Sequence, residues 1–459
     1  NTRIYKRNTI NMKPVCVISC PIDTFSGYGA RSRDFVNALI KVKGNEWDIK
    51  ILPQKWGDCP WNFYEDNDPI RLRFIGGVTE PPDIWIQHTV PNEFQPIGKF
   101  NIGLTAGIET TICPKEFLDG MNKMNLNLIS SKHSKAVATA SQFEQRENRT
   151  NKVLKIIRLE KPCEVLFEGL DLKVFNKSPQ STDILKDIPE EFCFLYTGHW
   201  LPGKFGEDRK NTSLMVKTFL ETFSTSSQKK PALILKTNQV DYSILDREEI
   251  IRKIHALRKK TDGDLPNIYL LHGELTNEEM NQLNNDPKVK AFVNFTKGEG
   301  FGRPLLESAI TGKPMITTNW SGHLDFLKPE YNVLLGGELK KVHKSAANQF
   351  LMKESQWFNV NTAVASRAMK DVYKNYKKYI PSSRKQTQYL KDNFSLDKMA
   401  ESLSKLLSTY MGDIPQQVAL NLPKLKKVGS NTNKLNLPKL KKIDNTNKIK
   451  LPKLKKIEV

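Results

Sequence analysis

Residues 298–307 read Gly-Glu-Gly-Phe-Gly-Arg-Pro-Leu-Leu-Glu, and this decapeptide joins a predicted strand to a predicted helix. The apolar run that precedes it, 289–295, is typical of a strand buried in a parallel sheet. Pro304 suits the first turn of a helix, where its missing N–H costs nothing, and residues 305–310 continue a helical pattern. A glycine loop between a strand and a helix aims unpaired backbone N–H groups at one point, which favours a bound phosphate.

Two carboxylates bracket the glycine loop. Glu299 opens the loop, and Glu307, eight positions later, lies about one turn into the predicted helix. A carboxylate there can accept hydrogen bonds from sugar hydroxyls while the loop N–H groups hold phosphate. The pattern indicates a ligand that carries both groups, as a nucleotide-sugar does, although the glycines alone are also typical of turns that let a helix pack closely.

The sequence after the loop extends this pattern. Residues 311–325, TGKPMITTNWSGHLD, predict a helix end at Gly312, a strand at 315–318 and a second turn at 321–322. Together with the decapeptide, this stretch closely resembles the donor-site signature of the retaining family-four glycosyltransferases, which have the two-domain GT-B fold. One departure is Asp325, which stands where the family usually has Glu.

The resemblance implies an α/β fold in which two Rossmann-like, doubly wound domains face a cleft that binds the donor. It implies that Glu299 lies beside the transferred sugar, Glu307 beside the ribose, and residues 272–275 against the base. The other groups that the resemblance places around the donor on the second domain are Leu275, Gly300, Phe301, Gly302, Leu305 and Leu306.

A charged segment follows the strand predicted at 192–197. Residues 207–211, Glu-Asp-Arg-Lys-Asn, resemble the family's basic pair, which neutralises the leaving diphosphate. Arg209 can bind two phosphate oxygens at once, and Lys210 adds a point charge. On its own the segment also fits a solvated charge cluster, but beside the donor loop phosphate binding is the better interpretation.

Two further donor contacts have alternative interpretations. Residues 27–29, Gly27-Tyr28-Gly29, match the family's glycine loop opposite the diphosphate, and any tight turn between a strand and a helix also favours glycine. Lys236 ends the strand ALILK, where its ammonium either lies near the diphosphate or reaches solvent at the strand end.

His88 and Glu109 follow neighbouring predicted strands of the first domain. A histidine at a strand end can orient a sugar hydroxyl or carry a proton, or it can be structural and bond a loop carbonyl. Many family members have a His after the next strand, where this sequence reads LTAGIETTICP, residues 104–114. A subgroup carries Glu-Thr/Ala-x-x-x-Pro there, and residues 109–114 match it, so the resemblance implies that Glu109 contacts the acceptor or the sugar.

The composition is that of a globular protein with room for two domains. The chain has 459 residues, is 38% hydrophobic and carries a net charge of +21. It has no run of about eighteen apolar residues, so we predict no membrane-spanning helix. The N-terminal stretch lacks the apolar core of a signal peptide. The six cysteines form no CxxC pair, which fits reduced thiols in a cytoplasmic protein better than zinc or disulfides.

Predicted strands alternate with helices through both halves of the chain, which favours doubly wound parallel sheets. The first half has expected strands at 15–19, 48–52, 83–87, 100–105 and 126–130 and a helix at 31–42, and residues 136–140 continue the alternation. The second half has expected strands at 192–197, 232–236 and 268–271 and helices at 212–223, 244–259 and 277–283. The predicted domains are an N-terminal extension (1–11), an acceptor domain (12–178), a nucleotide-sugar domain (179–380), helices that cross back (381–415) and a tail (416–459).

The tail contains three copies of LPKLKK, which begin at residues 422, 437 and 451. It holds twelve lysines against Asp444 and Glu458, a net charge of +10, so the rest of the chain has only a modest basic excess. Proline in every copy argues against a continuous helix. The open interpretations are a disordered solvating extension, a polybasic arm for an anionic membrane surface or nucleic acid, and an interfacial docking strand.

The residues and the resemblance together predict a retaining, metal-independent hexosyltransferase without a cofactor. Its partners would be a UDP- or GDP-sugar donor and a glycan or glycoconjugate acceptor, and its location cytoplasmic, with peripheral membrane attachment through the tail. One alternative is a nucleic-acid glucosyltransferase, against which the concentration of charge outside the catalytic body argues. The other is a non-catalytic nucleotide-sugar-binding protein, against which the presence of Glu299, Glu307, Arg209 and Lys210 argues. The oligomeric state is left open.

Overall fold

Two parallel six-stranded sheets form the body of the protein in the computed structural model, which describes residues 13–178, 183–225 and 229–412. Helices cover the sheets, and apolar residues of strands and helices form the cores between them. The predicted α/β class with two doubly wound sheets is therefore confirmed. The N-terminal extension at 1–11 and the lysine-rich tail at 416–459 lie outside the described residues.

The first lobe is built around the N-terminal sheet. Its strands are β1 (Val15–Cys20), β2 (Asp48–Pro53), β3 (Ile84–His88), β4 (Phe100–Thr105), β5 (Leu126–Ile129), β6 (Gln142–Arg146), β7 (Val153–Arg158) and β8 (Cys163–Val165), and its helices are α1 (Gly27–Lys43), α2 (Lys115–Met121) and α3 (Lys132–Ala140). The sheet has the order β2-β1-β3-β4-β5-β8 with every pair parallel, and β6 and β7 form a separate antiparallel hairpin. The winding direction reverses between β1 and β3, which is the switch point of this sheet.

The second lobe is built around the other sheet. Its strands are β9 (Cys193–Thr197), β10 (Ala232–Lys236), β11 (Ile268–Leu271), β12 (Val289–Val293), β13 (Met315–Thr318), β14 (Val333–Leu335), β15 (Gly337–Lys341) and β16 (Gln356–Val360), and the helices that follow along the chain are α4 (Thr212–Thr222), α5 (Ile244–Lys259), α6 (Asn277–Asn285), α7 (Arg303–Ala309), α8 (Thr362–Lys374), α9 (Tyr376–Asn393) and α10 (Leu396–Tyr410). The sheet has the order β11-β10-β9-β12-β13-β14, again all parallel, with the antiparallel pair β15-β16 beside it. Its switch point lies between β9 and β12.

The last helix joins the two lobes. Helix α10 packs against α1, and its buried face contributes to the apolar core of the first lobe through Met399, Ala400, Leu403 and Leu407. Helix α9, in contrast, packs against α7 and α8 of the second lobe. The chain therefore returns to the first lobe at α10, within the segment predicted to cross back.

Side-chain caps fix several helix starts. The hydroxyl of Ser26 accepts a hydrogen bond from Gly29 N at 2.9 Å, so α1 begins at Gly27 rather than at the predicted residue 31. Thr276 and Glu279 form a reciprocal capping box at the start of α6. These caps set the position of the first turn of α1, which carries Gly27 and Gly29, and of the loop before α6, which carries Leu275.

Residues 136–140 differ from the expected alternation of strands, because they form the second half of α3. The Ser131 hydroxyl caps this helix by accepting from Ser134 N, which favours helix over the short apolar run. The strands β14, β15 and β16 and the hairpin β6-β7 were not predicted. Within the described ranges, no helix combines the length and apolar character needed to cross a bilayer.

Candidate active site

The charged segment and the glycine loop meet at the switch point of the second sheet. The charged segment at 207–211 follows β9, and the loop at 294–302 follows β12. These two parallel strands are neighbours on either side of the switch point. Loops that leave the carboxyl ends of such strands diverge there, and ligands of open α/β sheets bind in the resulting crevice.

Four predicted residues come together at this point. Lys210 Nζ lies 2.6 Å from Oε1 of Glu299, and Arg209 Nη1 lies 3.4 Å from Oε2 of the same carboxylate. Arg209 Nη1 also donates to Gly298 O at 2.8 Å, and its Nη2 lies 3.5 Å from Oε1 of Glu109 in the first lobe. Both cations therefore point toward the glycine loop, as the sequence predicts.

The opposite charges of this cluster keep Glu299 and Arg209 ionised by shifting their pKa values. Burial works to raise the pKa of Glu299, but the charges of Lys210 and Arg209 outweigh it and bring the pKa to about 2. Burial likewise works to lower the pKa of Arg209, and the carboxylates of Glu109 and Glu299 reverse the shift and raise it. Glu299 is therefore a carboxylate and Arg209 a cation across the ordinary pH range.

The glycine turn at 298–302 is buried, because residues 106–109 of the first lobe cover it. A Cβ on Gly300 would lie 2.3 Å from Ala106 O, and one on Gly298 would lie 1.9 Å from Glu109 O. The Ser130 hydroxyl also donates to Gly300 O, at 3.1 Å. The expectation that this turn lies open toward a cleft is therefore not met, because the first-lobe backbone occupies the space that a missing side chain leaves.

Three other residues expected near the donor are part of the second lobe's packing. The Phe301 ring is 2% exposed and contacts Phe326, with ring centroids 4.9 Å apart. Leu305 and Leu306 are buried, and both backbone N–H groups donate to Gly302 O. Their side chains thus anchor the short helix α7 to the core, so the groups of this loop left for a ligand are backbone groups before Leu305.

Glu307 takes part in an ion-pair network instead of standing free. Its Oε1 lies 2.7 Å from Nε of Arg303, one turn earlier on α7. Arg303 Nη1 also pairs with Asp34 on α1 of the first lobe and lies 3.8 Å from Glu168 on the segment between the lobes. Arg31, also on α1, lies 3.4 Å from Glu168. This network ties the two lobes together; the ribose contact of Glu307 stays a prediction.

The first-lobe candidates lie at the switch point of their own sheet. Gly29 is required by packing, since a Cβ there would lie 2.2 Å from Thr24 O, whereas Gly27 stands in open space. His88 at the end of β3 is 1% exposed, and its Nδ1 lies 2.7 Å from the Ser32 hydroxyl. Burial, together with the charge of Arg31, lowers the pKa of His88 well below its usual value, so the ring is neutral.

Lys236 lies at the end of β10. Its Nζ donates to Gly273 O at 2.6 Å and is 5.6 Å from the centre of the Tyr242 ring. Burial lowers its pKa, against the opposing charge of Glu274. Leu275, two residues after Gly273, is half-buried and packs on the core of the second lobe. Lys236 thus fixes the 272–275 segment, and its contact with a diphosphate stays a prediction.

Possible metal ligands are scattered. In the described part of the chain, no three His, Cys, Asp or Glu side chains are grouped as the ligands of a metal ion. Two Asp-x-Asp triplets, 66–68 and 262–264, are engaged elsewhere: Asp66 pairs with Arg71 at 2.8 Å and Asp264 pairs with Lys230. The local positive charge comes from Arg209 and Lys210.

Sequence reasoning missed several residues of this region. Arg303 lies four positions before Glu307 on α7, a spacing that favours an ion pair and could have been read from the sequence. Asp34 and Glu168 gave no such signal, because their contacts with Arg303 join positions more than 130 residues apart. Lys297, whose Nζ lies 2.5 Å from Asn359 Oδ1 on β16, was missed because that strand was not predicted.

Several solved structures are similar to this chain in fold. A sucrose-phosphate synthase from Thermosynechococcus elongatus matches with a TM-score of 0.57 and 12% identity, over 87% of this chain and 99% of its own. Anabaena HepE in complex with UDP-glucose matches with a TM-score of 0.55 and 10% identity, over 86% of this chain and 100% of its own. A glycosyltransferase from Rickettsia africae matches with a TM-score of 0.54 and 10% identity, over 87% of this chain and 99% of its own.

The fold is that of the GT-B glycosyltransferases, and the GT-B prediction is confirmed. At identities of 12% or less, the similarity establishes the fold. No protein-family model and no curated protein matches the sequence.

Proposed function

We propose that this protein is a retaining, metal-independent glycosyltransferase of the family-four type, which transfers a hexose from a UDP- or GDP-sugar to a hydroxyl of a glycan or glycoconjugate. The observation that carries the proposal is the convergence of Arg209 and Lys210 on the Glu299 loop at the switch point of the second sheet. This is the crevice where open α/β sheets bind nucleotides. HepE, which has the same fold, is described in complex with UDP-glucose, and that ligand class suits this site.

The chemistry of the site suits a leaving diphosphate. Arg209 and Lys210 supply two fixed positive charges in a buried setting, where they stabilise developing negative charge more strongly than in water. In the described part of the chain, the N–H groups of Gly300, Phe301 and Gly302 donate to no protein acceptor. These groups can take the phosphate oxygens that the cations leave unbound.

Glu299 and Glu109 are the carboxylates for the sugar side of the reaction. As the diphosphate departs with the bonding electrons, positive charge develops on the sugar ring, and a carboxylate beside it stabilises that charge. The acceptor hydroxyl then attacks the anomeric carbon from the same face and gives its proton to the departing phosphate oxygen. This scheme needs no protein nucleophile and returns the sugar with its configuration retained.

Donor entry requires the lobes to separate at the glycine turn. Residues 106–109 fill the space next to Gly298 and Gly300. The Glu299 carboxylate pairs with both Arg209 and Lys210. A diphosphate must displace the carboxylate from the cations and the first-lobe loop from the turn. The arrangement described here is accordingly closed at the glycine turn.

A thermal-shift screen of UDP, GDP, ADP and their sugars tests the proposal. We expect UDP or GDP, and the corresponding sugar, to raise the melting temperature of the full chain by several degrees, because binding to the native state alone stabilises it. The Arg209→Ala and Lys210→Ala variants should lose this shift. Lys217→Ala is a matched control, since it removes a half-buried Lys of α4 that pairs with Glu221 away from the cluster. No shift with any nucleotide in the unmodified protein would refute the proposal.

A further inference from the structure

Three aromatic rings are stacked at the edge of the first lobe. The rings of Tyr28 and Trp56 have centroids 3.9 Å apart and planes inclined by 20°, and those of Tyr28 and His88 are 4.9 Å apart and inclined by 24°. We call Trp56, Tyr28 and His88 the ring stack. Trp56 and Tyr28 are half-buried and His88 is fully buried, so the stack leads from the surface into the lobe.

The ring stack lies at the switch point of the first sheet. Tyr28 is in the first turn of α1, after β1, and His88 is the last residue of β3. These strands are the neighbours between which the winding direction reverses. The same rule that places the donor in the second lobe places a ligand at this edge of the first.

The segment that carries Trp56 is tied to the start of α1 by backbone hydrogen bonds. Phe25 N donates to Pro60 O at 3.0 Å, and Phe63 N donates to Asp23 O at 3.1 Å, so residues 54–63 lie over the start of α1. An isolated antiparallel bridge between Thr24 and Trp61 adds to these bonds. A ring presented by a fixed segment loses little conformational freedom when a ligand covers it.

The inner end of the stack offers a hydrogen-bonding group. Ser32 binds Nδ1 of His88, and the same hydroxyl donates to Tyr28 O at 2.8 Å. Nε2 of His88 is buried, and in the described part of the chain it has no partner. A buried polar atom without a partner is costly, and a hydroxyl of a bound molecule would satisfy it.

We propose that the ring stack is the binding platform of the acceptor, and that the acceptor is a glycan with a pyranose ring seated on Trp56. The apolar C–H face of a pyranose suits the flat face of an indole, and the sugar hydroxyls suit its polar surroundings and Nε2 of His88. Glu109, which follows β4 next to β3, pairs with Arg209 and so connects this edge to the donor side. The inference rests on the proposed transferase function and specifies its acceptor.

Ligand-observed saturation-transfer NMR on the full chain tests the platform without a donor. The probes are the methyl pyranosides of glucose, galactose and mannose, with sorbitol as an open-chain polyol of similar polarity. We expect saturation of ring C–H protons for at least one pyranoside and none for sorbitol. Trp56→Ala should lower the affinity for the pyranoside by about tenfold, and Trp56→Phe should retain most of the affinity.

Trp61→Ala is the matched control, because Trp61 lies in the same segment but outside the ring stack. Equal loss in the Trp56 and Trp61 variants, or no signal from any pyranoside, would overturn the inference. Loss of the UDP or GDP thermal shift in Trp56→Ala would also overturn it, since the stack would then serve the donor. If no nucleotide shifts the unmodified protein but Trp56-dependent pyranoside binding persists, the transferase function fails and the sugar platform stands.

Discussion

The ammonium of Lys210 lies 2.6 Å from Oε1 of Glu299, although the two residues stand on loops that leave different strands. Both side chains are less than a tenth exposed, and Arg209 contacts the other carboxylate oxygen. Glu299 therefore occupies the cations that the proposed diphosphate needs. By the proposal, the nucleotide diphosphate has to displace this carboxylate from both cations.

The first prediction separates nucleotide binding from transfer. Glu299→Gln removes the competing negative charge, so UDP or GDP should bind about tenfold more tightly in calorimetric titrations. The same change removes the carboxylate from the sugar side, so sugar transfer should fall by roughly 100-fold or more. Lys217→Ala, on an exposed pair, should change neither quantity. Weaker nucleotide binding in Glu299→Gln would show that this carboxylate supports the phosphates instead of competing with them.

The second prediction concerns stability and pH. The pKa of Glu299 is about 2 in the folded protein, against about 4.3 for an ordinary glutamate in the unfolded chain. A depressed pKa adds stability that is present above pH 4.5 and is lost as the pH falls toward 2. The contribution is about 3 kcal/mol, and little of it is screened because the side chain is 8% exposed.

Urea unfolding at pH 7, 4.5 and 3 measures this contribution. Glu299→Gln resembles the protonated carboxyl in shape and charge, so the difference in unfolding free energy between the unmodified protein and the variant should be largest at pH 7 and shrink below pH 4.5. A difference that stays constant from pH 7 to pH 3 would contradict the depressed pKa.

The third prediction concerns the ion pairs between the lobes. Arg303 stands among Asp34, Glu168 and Glu307, and its removal leaves three carboxylates together. Arg303→Met should therefore lower the free energy of unfolding by about 3–5 kcal/mol. Asp34→Asn should cost less, since Arg303 keeps its other two partners. Urea unfolding gives both values.

Lys43→Met provides the control for this comparison. Lys43 is on α1, as is Asp34, but it pairs with Glu46 at the surface, where ion pairs contribute about 0–1 kcal/mol. Small-angle scattering should also show a larger radius of gyration for Arg303→Met than for Lys43→Met. Equal behaviour of the two variants would mean that Arg303 does not hold the lobes together.

The fold was predictable because its signals are local. The strands at 100–105, 232–236, 268–271 and 315–318 and the helix at 244–259 have the predicted bounds, since each is a continuous apolar run or a periodic segment between turn residues. The strand β15 has five exposed residues and no apolar run, and thus gave no signal. It is held by pairing with β16, a contact between segments distant in the sequence.

The candidate site was predictable only where strand–loop motifs within one lobe determine the positions of its residues. The order of β9 and β12 brings Arg209 and Glu299 together, and strand–loop motifs in the sequence indicated this. The cover over the glycine turn depends on how the two lobes close, which no local pattern encodes. Likewise the stacking of Tyr28 on Trp56 joins the start of α1 to the loop after β2, a contact that no local pattern encodes.

The last prediction tests whether closure of the lobes uses the bare backbone of the glycine turn. Gly300→Ala places a methyl group 2.3 Å from Ala106 O, a backbone atom that cannot rotate away. The closed contact should therefore open, with a loss of about 1–3 kcal/mol in unfolding free energy and a larger radius of gyration in solution. Gly336→Ala is the matched control, because a Cβ there meets no atom within 4 Å. If Gly300→Ala matches Gly336→Ala in both measurements, residues 106–109 do not rest on the turn in solution, and the donor-free protein is open.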